Sequence, residues 1–437
     1  MKSSSCAISE QDNNVEYHFG IYKHHLVISG NRMVTRQFIV IRYGNGYMRF
    51  TDFHRYVRSP VNRVKHFTSD GNNRFAFVVQ LLNYAFLYRN IGSLDKLDAK
   101  IVADFLNMYG MGELPWDDEI TARSEGTVTL CVKYIMDFCE LLCEYLGKKC
   151  RLKKDDLYVW KEVRDRRGKI HKEKVPAFDV KYTGNNRRIF RDIPDKAFSM
   201  IFRYIAEYHT DMLGLLLLSA FCGLRPGEAC NARRHDSALG PGIIPTYVDG
   251  ELVKVEFDVR EELDLRGDGV SVGRIKKERK REMPEIFLPI FGKYYAAYMK
   301  YMDSREFDRE RGPFSINSWG KAMTYITYYT RFQSIVKDEL VPMFLASDDP
   351  ELVIYGRILT EHNISPHIFR HWFTVQLVLS GITDPGTIMY YRGDKSPQSA
   401  LTYLQDKGDL ERQYRRVNDE LFRYMLWASD KQMGASK

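Results

Sequence analysis

The sequence predicts a mainly α-helical protein with small antiparallel β-sheets, divided into more than one domain. Three observations lead there. Long stretches repeat apolar residues at three- and four-residue intervals, the period of a helix with one buried face. Short runs rich in β-branched and aromatic residues lie between turn-forming residues, as paired strands do. A length of 437 residues also exceeds what one core ordinarily organises. With 44% hydrophobic and 28% charged residues, the chain has the material to build such cores.

Residues 1–14 are polar and without apolar period, so a disordered lead is expected, and nothing there resembles a signal peptide. Strands are expected at His25–Ser29, Phe38–Tyr43 and Tyr47–Phe50, with Gly44-Asn45-Gly46 as a tight turn before the last. Helical spacing begins near Asn73, where Phe75, Phe77, Val78, Leu81, Leu82, Tyr84, Ala85 and Leu87 form a broad apolar face. A second helix fits Leu97–Tyr109, with Ser93 or Asp95 as its cap, and a third fits Val128–Leu146. These divide into a strand-containing segment, 1–60, and a helical domain with a basic linker, 61–175.

The stretch 147–192 is crowded with cations, among them Lys148, Lys149, Arg151, Lys153, Lys154, Lys161, Arg164, Arg166, Arg167 and Lys169. It reads as a solvated linker or as a strap along phosphates, where each Lys or Arg gains affinity by releasing counterions. The two readings are compatible. A further domain, 190–437, opens at Ile193-Pro194. Helices fit Asp195–Tyr208, Met212–Cys222, Lys293–Asp303, Ser318–Val336, Pro366–Leu379, Ser399–Gln405 and Asp409–Ala428. Strand-like runs lie at Lys254–Val259, Gly269–Ile275 and Glu285–Ile290.

A formal charge of +8 favours polyanionic partners without naming one. The seven cysteines form no CxxC pair, which argues against a zinc site or a redox dithiol and suits free thiols in a reducing compartment. No apolar run approaches the ~20 residues of a membrane helix. A cytoplasmic protein without membrane contact is expected.

Three segments carry chemistry. In Gly223-Leu224-Arg225-Pro226-Gly227-Glu228 one helix ends at glycine and another can start at proline. Arg225 is thereby held at a junction, with Glu228 placed to brace it, although an arginine in such a turn serves as a structural ion pair just as often. In Ser365-Pro366-His367-Ile368-Phe369-Arg370-His371-Trp372, a helix start sets His367, Arg370 and His371 on one face. Acidic residues, not cations, normally occupy that end of a helix. In Gly393-Asp394-Lys395-Ser396 and onward to Tyr403, a glycine turn is followed nine residues after Asp394 by a tyrosine.

In order and spacing these segments resemble the tyrosine recombinase (phage integrase) family. Its members carry Gly-Leu-Arg-x-x-Glu, then His-x-x-Arg-His, then Gly-His with the nucleophilic tyrosine nine residues after that histidine. The resemblance implies a helical core-binding domain joined to a mixed α/β catalytic domain. It implies Arg225 and Arg370 as phosphate-binding arginines, His367 as base, His371 and Glu228 in support, and Tyr403 as nucleophile. A lysine on a β-hairpin between the arginine motifs would protonate the leaving 5′ oxygen. Spacing back from Pro284 points to Lys276, counting from Pro289 lands on Arg281, and Lys277 and Lys280 stay open.

The implied reaction passes through a covalent 3′-phosphotyrosine and needs neither ATP nor a metal. Its setting would be integration or excision of a mobile element by four protomers on two duplexes, in the bacterial nucleoid. Docking through the C-terminal helix and an accessory protein belong to the same expectation, with residues 1–60 as an arm-type DNA-binding segment. Lys148, Lys149, Arg151, Lys153, Lys154, Lys277, Arg279, Lys280 and Arg281 are the expected DNA-facing cations. One position departs from the pattern. Asp394 stands where the family has His or Trp, and an ionised carboxylate donates no hydrogen bond to phosphate. It would orient a neighbour such as Arg392 or Lys395, or mark a DNA-binding protein that keeps the fold with weakened or lost cleavage.

Overall fold

A computed structural model describes residues 16–57, 69–117, 122–164, 170–184, 193–276 and 278–394. The chain divides into two units, one of Met1–Leu26 with Val34–Arg188 and one of Val27–Met33 with Ile189–Lys437. The expected lead at 1–14, Lys277 and the expected helices Ser399–Gln405 and Asp409–Ala428 lie outside the described residues.

Strands β1 (Tyr17–Ile28), β2 (Arg32–Tyr43) and β3 (Met48–Phe50) form a three-stranded sheet in that order, all of it in the first unit except Val27–Ile28 and Arg32–Met33. The turn between β2 and β3 is the Gly44-Asn45-Gly46 segment, closed by the Gly46 amide donating to the Tyr43 carbonyl at 2.9 Å. Helix α1 (Asn72–Asn83) follows and ends in a single π turn, Tyr84–Tyr88. Asn83 locks it to the sheet, accepting from the Phe19 amide at 2.7 Å and donating to the Phe19 carbonyl at 3.1 Å. Helix α2 (Ala99–Met111) is capped by Asp98, which accepts from the Ile101 amide at 3.0 Å. Ser93 and Asp95 do not cap it, because Leu94–Lys96 form a separate 3₁₀ turn. Helix α3 (Glu125–Leu146) starts at its Ser124 cap. Its Ile135, Phe138 and Leu142 join Phe19, Ile39 and Phe105 in one core.

The described part of the basic segment forms paired strands. Strands β4 (Tyr158–Arg164) and β5 (Ile170–Pro176) make an antiparallel ribbon paired only with itself. Tyr158 at its base packs against the core of the first unit, whereas Val159, Trp160 and Ile170 are exposed, so the ribbon carries no continuous apolar stripe.

The second unit is built around a helix buried on every side. Helix α4 (Asp195–Tyr208) precedes α5 (Thr210–Phe221), in which Leu213, Leu215, Leu216, Leu217 and Leu218 are all buried. A helix apolar all round belongs in the middle of a core. After the single turn α6 (Pro226–Ala229), β6 (Ile243–Val248) and β7 (Glu251–Asp258) pair across an Asp249-Gly250 turn in which both residues have positive φ. Strand β8 (Lys280–Glu282) adds to β7.

Two strand expectations fail here. Gly269–Ile275 is loop, and Glu285–Ile290 is a 3₁₀ turn leading into helix α7 (Leu288–Asp303). Pro284 and Pro289 suit a helix start, and Phe287, Ile290 and Phe291 take helical spacing against the core. The return strand is β8 instead. Helices α8 (Tyr325–Ser334), α9 (Val341–Leu345), α10 (Pro350–Glu361), α11 (His367–Leu379) and α12 (Pro385–Arg392) complete the unit, with a π turn, Ile335–Leu340, joining α8 to α9.

Helix α5 packs against α4, α7 and α11. Trp372 of α11 joins these layers, stacked on Phe198 at 3.7 Å between ring centroids and edge-on to Phe221 at 5.9 Å. Truncating such a side chain leaves a cavity that close-packed neighbours fill poorly. Trp372→Ala should lower unfolding free energy by about 3–5 kcal/mol, read from the urea midpoint by circular dichroism. A loss below about 1 kcal/mol would mean that the layers meet elsewhere.

Candidate active site

Four guanidinium groups and two carboxylates converge where α6, α11, α12 and the approach to β8 meet. Glu228, fully buried, is the first anchor. Its Oε1 accepts from Arg225 Nη1 at 2.9 Å and its Oε2 from the Arg225 backbone amide at 3.0 Å. Oε2 also takes Nη2 of buried Arg279. Asp394 is the second. Its Oδ1 accepts from Nη2 of Arg225 and from Nη2 of Arg370, each at 2.8 Å, and its Oδ2 accepts from Arg392 Nε at 2.6 Å.

Local structure fixes each member. Arg370 lies in the first turn of α11, is 1% exposed, and its Nη1 donates to the Gly223 carbonyl. Gly223 has φ +61°, and a Cβ there would meet the Phe373 ring at 2.5 Å, so only glycine delivers that carbonyl. Arg392 closes α12, with its Nη1 on Thr374 Oγ1, which itself donates to the Arg370 carbonyl at 2.9 Å. Gly393 follows at φ +64°, and a Cβ there would strike Arg279 Nε at 2.6 Å. The glycine turn that the motif requires thus also seats Arg279.

The charges shift one another. Burial, reinforced by Arg225, Arg279 and Arg392, pushes Arg370 well below the ordinary arginine value. Burial lowers Arg279 to about 10 despite Glu228. Burial would raise the Asp394 carboxyl, but Arg392, Arg370 and Arg225 outweigh it and hold it below the usual range. His367 is brought down to about 4 by burial and then by Arg370, Arg225 and Arg392. It is therefore a neutral imidazole at pH 7, able to accept a proton. The His371 ring lies edge-on to it, 5.0 Å between centroids.

Arg225, Glu228, His367, Arg370 and Asp394 thus share one small volume. Lys276 is an exposed residue of the loop before β8. Asn231 pins that loop to α6 by donating to the Gly227 carbonyl at 2.7 Å and the Gly273 carbonyl at 2.9 Å. Tyr403, Lys395 and Lys277 lie outside the described residues. Arg279 does not face outward as a DNA-contacting cation would. It belongs to the buried cluster, where its charge is matched by Glu228. Arg281 lies over the Tyr390 ring at 4.1 Å, and Lys280 is exposed. In the first unit, Arg151 pairs with Asp98 at 3.4 Å and Lys154 with Glu144 at 2.6 Å, while Lys153 Nζ donates to the Cys150 carbonyl at 2.6 Å. Lys148 and Lys149 are exposed. Nothing in the run Arg279-Lys280-Arg281 signalled the inward turn of Arg279, because its three cations look alike in sequence.

No known family model and no curated protein matches this sequence. Solved structures similar to the chain are recombinases and integrases. XerH site-specific recombinase bound to difH substrate is 14% identical, covering 76% of each chain at a TM-score of 0.43. The Tn1549 transposon integrase in complex with transposon right end DNA is 15% identical, covering 78% of this chain and 90% of that one at 0.44. A lambda integrase dimer bound to a COC′ core site is 11% identical, covering 88% and 95% at 0.42.

Two outcomes test the charge network. Glu228→Gln leaves Arg225 and buried Arg279 short of an anion, and breaking a buried pair from one side typically costs about 3–5 kcal/mol. Equilibrium unfolding checks it, with loss of the Arg279 pairing as the cause if Glu228→Gln/Arg279→Met recovers stability. For His367, the unfolded value near 6.5 lies above the folded value of about 4, so the folded state binds fewer protons between them. Its contribution to stability should fall as pH drops from ~6.5 to ~4 and then level off. Histidine proton NMR should show a titration midpoint far below that of a free imidazole, and a midpoint above 6 would refute the assignment.

Proposed function

We propose that this chain is a site-specific DNA recombinase that cuts and rejoins strands through a covalent 3′-phosphotyrosine on Tyr403. The observation that carries the reading is the convergence of Arg225 and Arg370. Each has one Nη bound within the protein, and each directs the other at a single oxygen position 2.8 Å away. A non-bridging phosphate oxygen would receive both donors there, and fixed guanidinium forks stabilise the charge that builds on a phosphorane transition state.

In the proposed reaction the Tyr403 oxygen attacks phosphorus and the bond to the 5′ oxygen breaks. The phenolic proton passes to His367, whose imidazole is neutral at pH 7 and so open to a proton. Lys276 gives a proton to the leaving 5′ oxygen. Attack by a 5′ hydroxyl of another strand reverses the step, with bond energy conserved. The biological setting that the sequence pattern suggests is integration or excision of a mobile element by four protomers on two duplexes. The exposed cations Lys148, Lys149 and Lys280 remain available for backbone phosphates, each released counterion adding salt-sensitive affinity.

A second reading, a DNA-binding protein that does not cut, is favoured by one feature. Asp394 already holds both phosphate-facing donors. A pool of nicked duplexes of randomised sequence, incubated with the protein in EDTA, separates the two. The nick lets the 5′ product diffuse away and traps an adduct. Wild type should give a denaturant-resistant protein–DNA species and Tyr403→Phe none, while Tyr403→Phe still retains duplexes on a filter. Arg225→Ala and Arg370→Ala should each slow adduct formation by ~10²–10³, the usual cost of one lost transition-state donor. Retention of duplexes without any adduct would favour the second reading.

A further inference from the structure

We propose that the Asp394 carboxylate is an internal anion occupying the phosphate seat, and that substrate binds by taking over its Oδ1 contacts while Arg392 keeps Oδ2. Calling the incoming group a scissile phosphate rests on the recombinase reading. The narrower statement, that a free oxyanion and Asp394 compete for Arg225 and Arg370, does not.

The geometry separates the two oxygens by task. Oδ1 bridges Arg225 and Arg370, from α6 and α11, as a shared phosphate oxygen would. Oδ2 is held by Arg392, two residues before it, whose own Nη1 is fixed to Thr374. Arg225 and Arg370 are braced independently of Asp394, by Glu228 and by the Gly223 carbonyl, so the seat persists when its occupant changes. Release of Oδ1 requires a rotation of the short Asp394 side chain that also moves Oδ2, with Arg392 following it.

Unused donors point to a larger occupant than a carboxylate. Nε of Arg370 and both Nε and Nη1 of Arg279 are buried without a hydrogen-bond partner among the described residues. Buried polar groups are ordinarily paired, and an unpaired one calls for an explanation. The two oxygens of Asp394 are both committed, whereas a phosphate brings additional oxygens to the same volume. The charges agree. Four arginines face two carboxylates, so the cluster keeps a positive excess even with Asp394 in place.

An occupied seat imposes a penalty on binding, because apparent affinity falls by the fraction of molecules whose seat is open. If that fraction is a tenth or less, removing the carboxylate charge tightens anion binding by about tenfold or more. Inorganic phosphate is the probe, titrated against the full-length chain at fixed ionic strength, with the thermal midpoint as readout. Asp394→Asn and Asp394→Ala should each bind phosphate about tenfold or more tighter than wild type. Asp394→Glu, which keeps the charge, should stay near wild type. Adding Arg225→Gln to Asp394→Asn should abolish the gain.

Equal phosphate affinity in wild type and both neutral variants would overturn the proposal, as would a gain that survives Arg225→Gln. Should the neutral variants unfold in phosphate-free buffer, recovery of helical signal on adding phosphate supports it, and no recovery at any concentration overturns it. The adduct assay reads a different quantity. Absence of cleavage leaves the competition intact, and absence of competition leaves cleavage to be judged by Tyr403.

Discussion

Like charges resist being gathered into a small buried volume, and the second unit gathers four of them. Arg225 and Arg370 each reach the same oxygen at 2.8 Å, so their donor nitrogens are no farther apart than twice that distance. Two unit charges ~5 Å apart repel by about 3 kcal/mol at an effective dielectric near 20. Glu228 and Asp394 make the arrangement tenable, each by serving more than one guanidinium. The positions of α6, α11 and α12 are therefore coupled through side chains as well as through the core. A carboxylate from one turn neutralises cations from the others.

The apolar scaffold places these charges with little freedom. Helix α5 is buried from Met212 to Phe221, so the turn that follows it delivers Gly223 and Arg225 at a fixed depth. Helix α11 turns Phe369, Trp372 and Phe373 into the core, and the same rotation aims Arg370 at the Gly223 carbonyl. Cations in the first turn of a helix oppose its dipole. Here that cost is offset by Asp394, which meets Arg370 directly, and by burial that keeps His367 uncharged. What looks locally unfavourable is consistent once the facing elements are included.

Much of this was legible in the sequence, for identifiable reasons. Helix Asp195–Tyr208 is read with its observed bounds because Pro194 marks its start and the apolar period is strong. That Arg225, Arg370 and Asp394 belong to one set was implied by the order and spacing of the motifs, but the pairing of Asp394 with both arginines was not read, since only Arg392 or Lys395 were expected beside it. Period-two signals fared worse. Strand β6 went unread although Asp249-Gly250 is the pair that a tight hairpin turn demands. The ribbon of β4 and β5 was hidden because the consecutive charges Lys161-Glu162 and Lys172-Glu173-Lys174 break any apolar alternation. Glu285–Ile290 was read as strand because short apolar runs do not distinguish a strand from the start of a buried helix. Arg279 was assigned to the surface with its basic neighbours. Its burial depends on Glu228 and Gly393, which are remote from it in sequence.

On the proposed reading, the electrostatics of the cluster would also link occupancy of the seat to the strength of the base. His367 is held near 4 by burial and by three neighbouring arginines. An imidazole under that influence is a poor proton acceptor, since catalytic bases work best with values near the working pH. When phosphate enters and Asp394 stays on Arg392 through Oδ2, the site gains a negative charge and loses none. That charge favours the imidazolium and moves His367 back toward its ordinary value. On the proposed reading, the base would be weakest while the seat holds only its own carboxylate and would gain strength when a phosphodiester arrives. In the proposed reaction, the proton of Tyr403 would find an effective acceptor only with substrate in place.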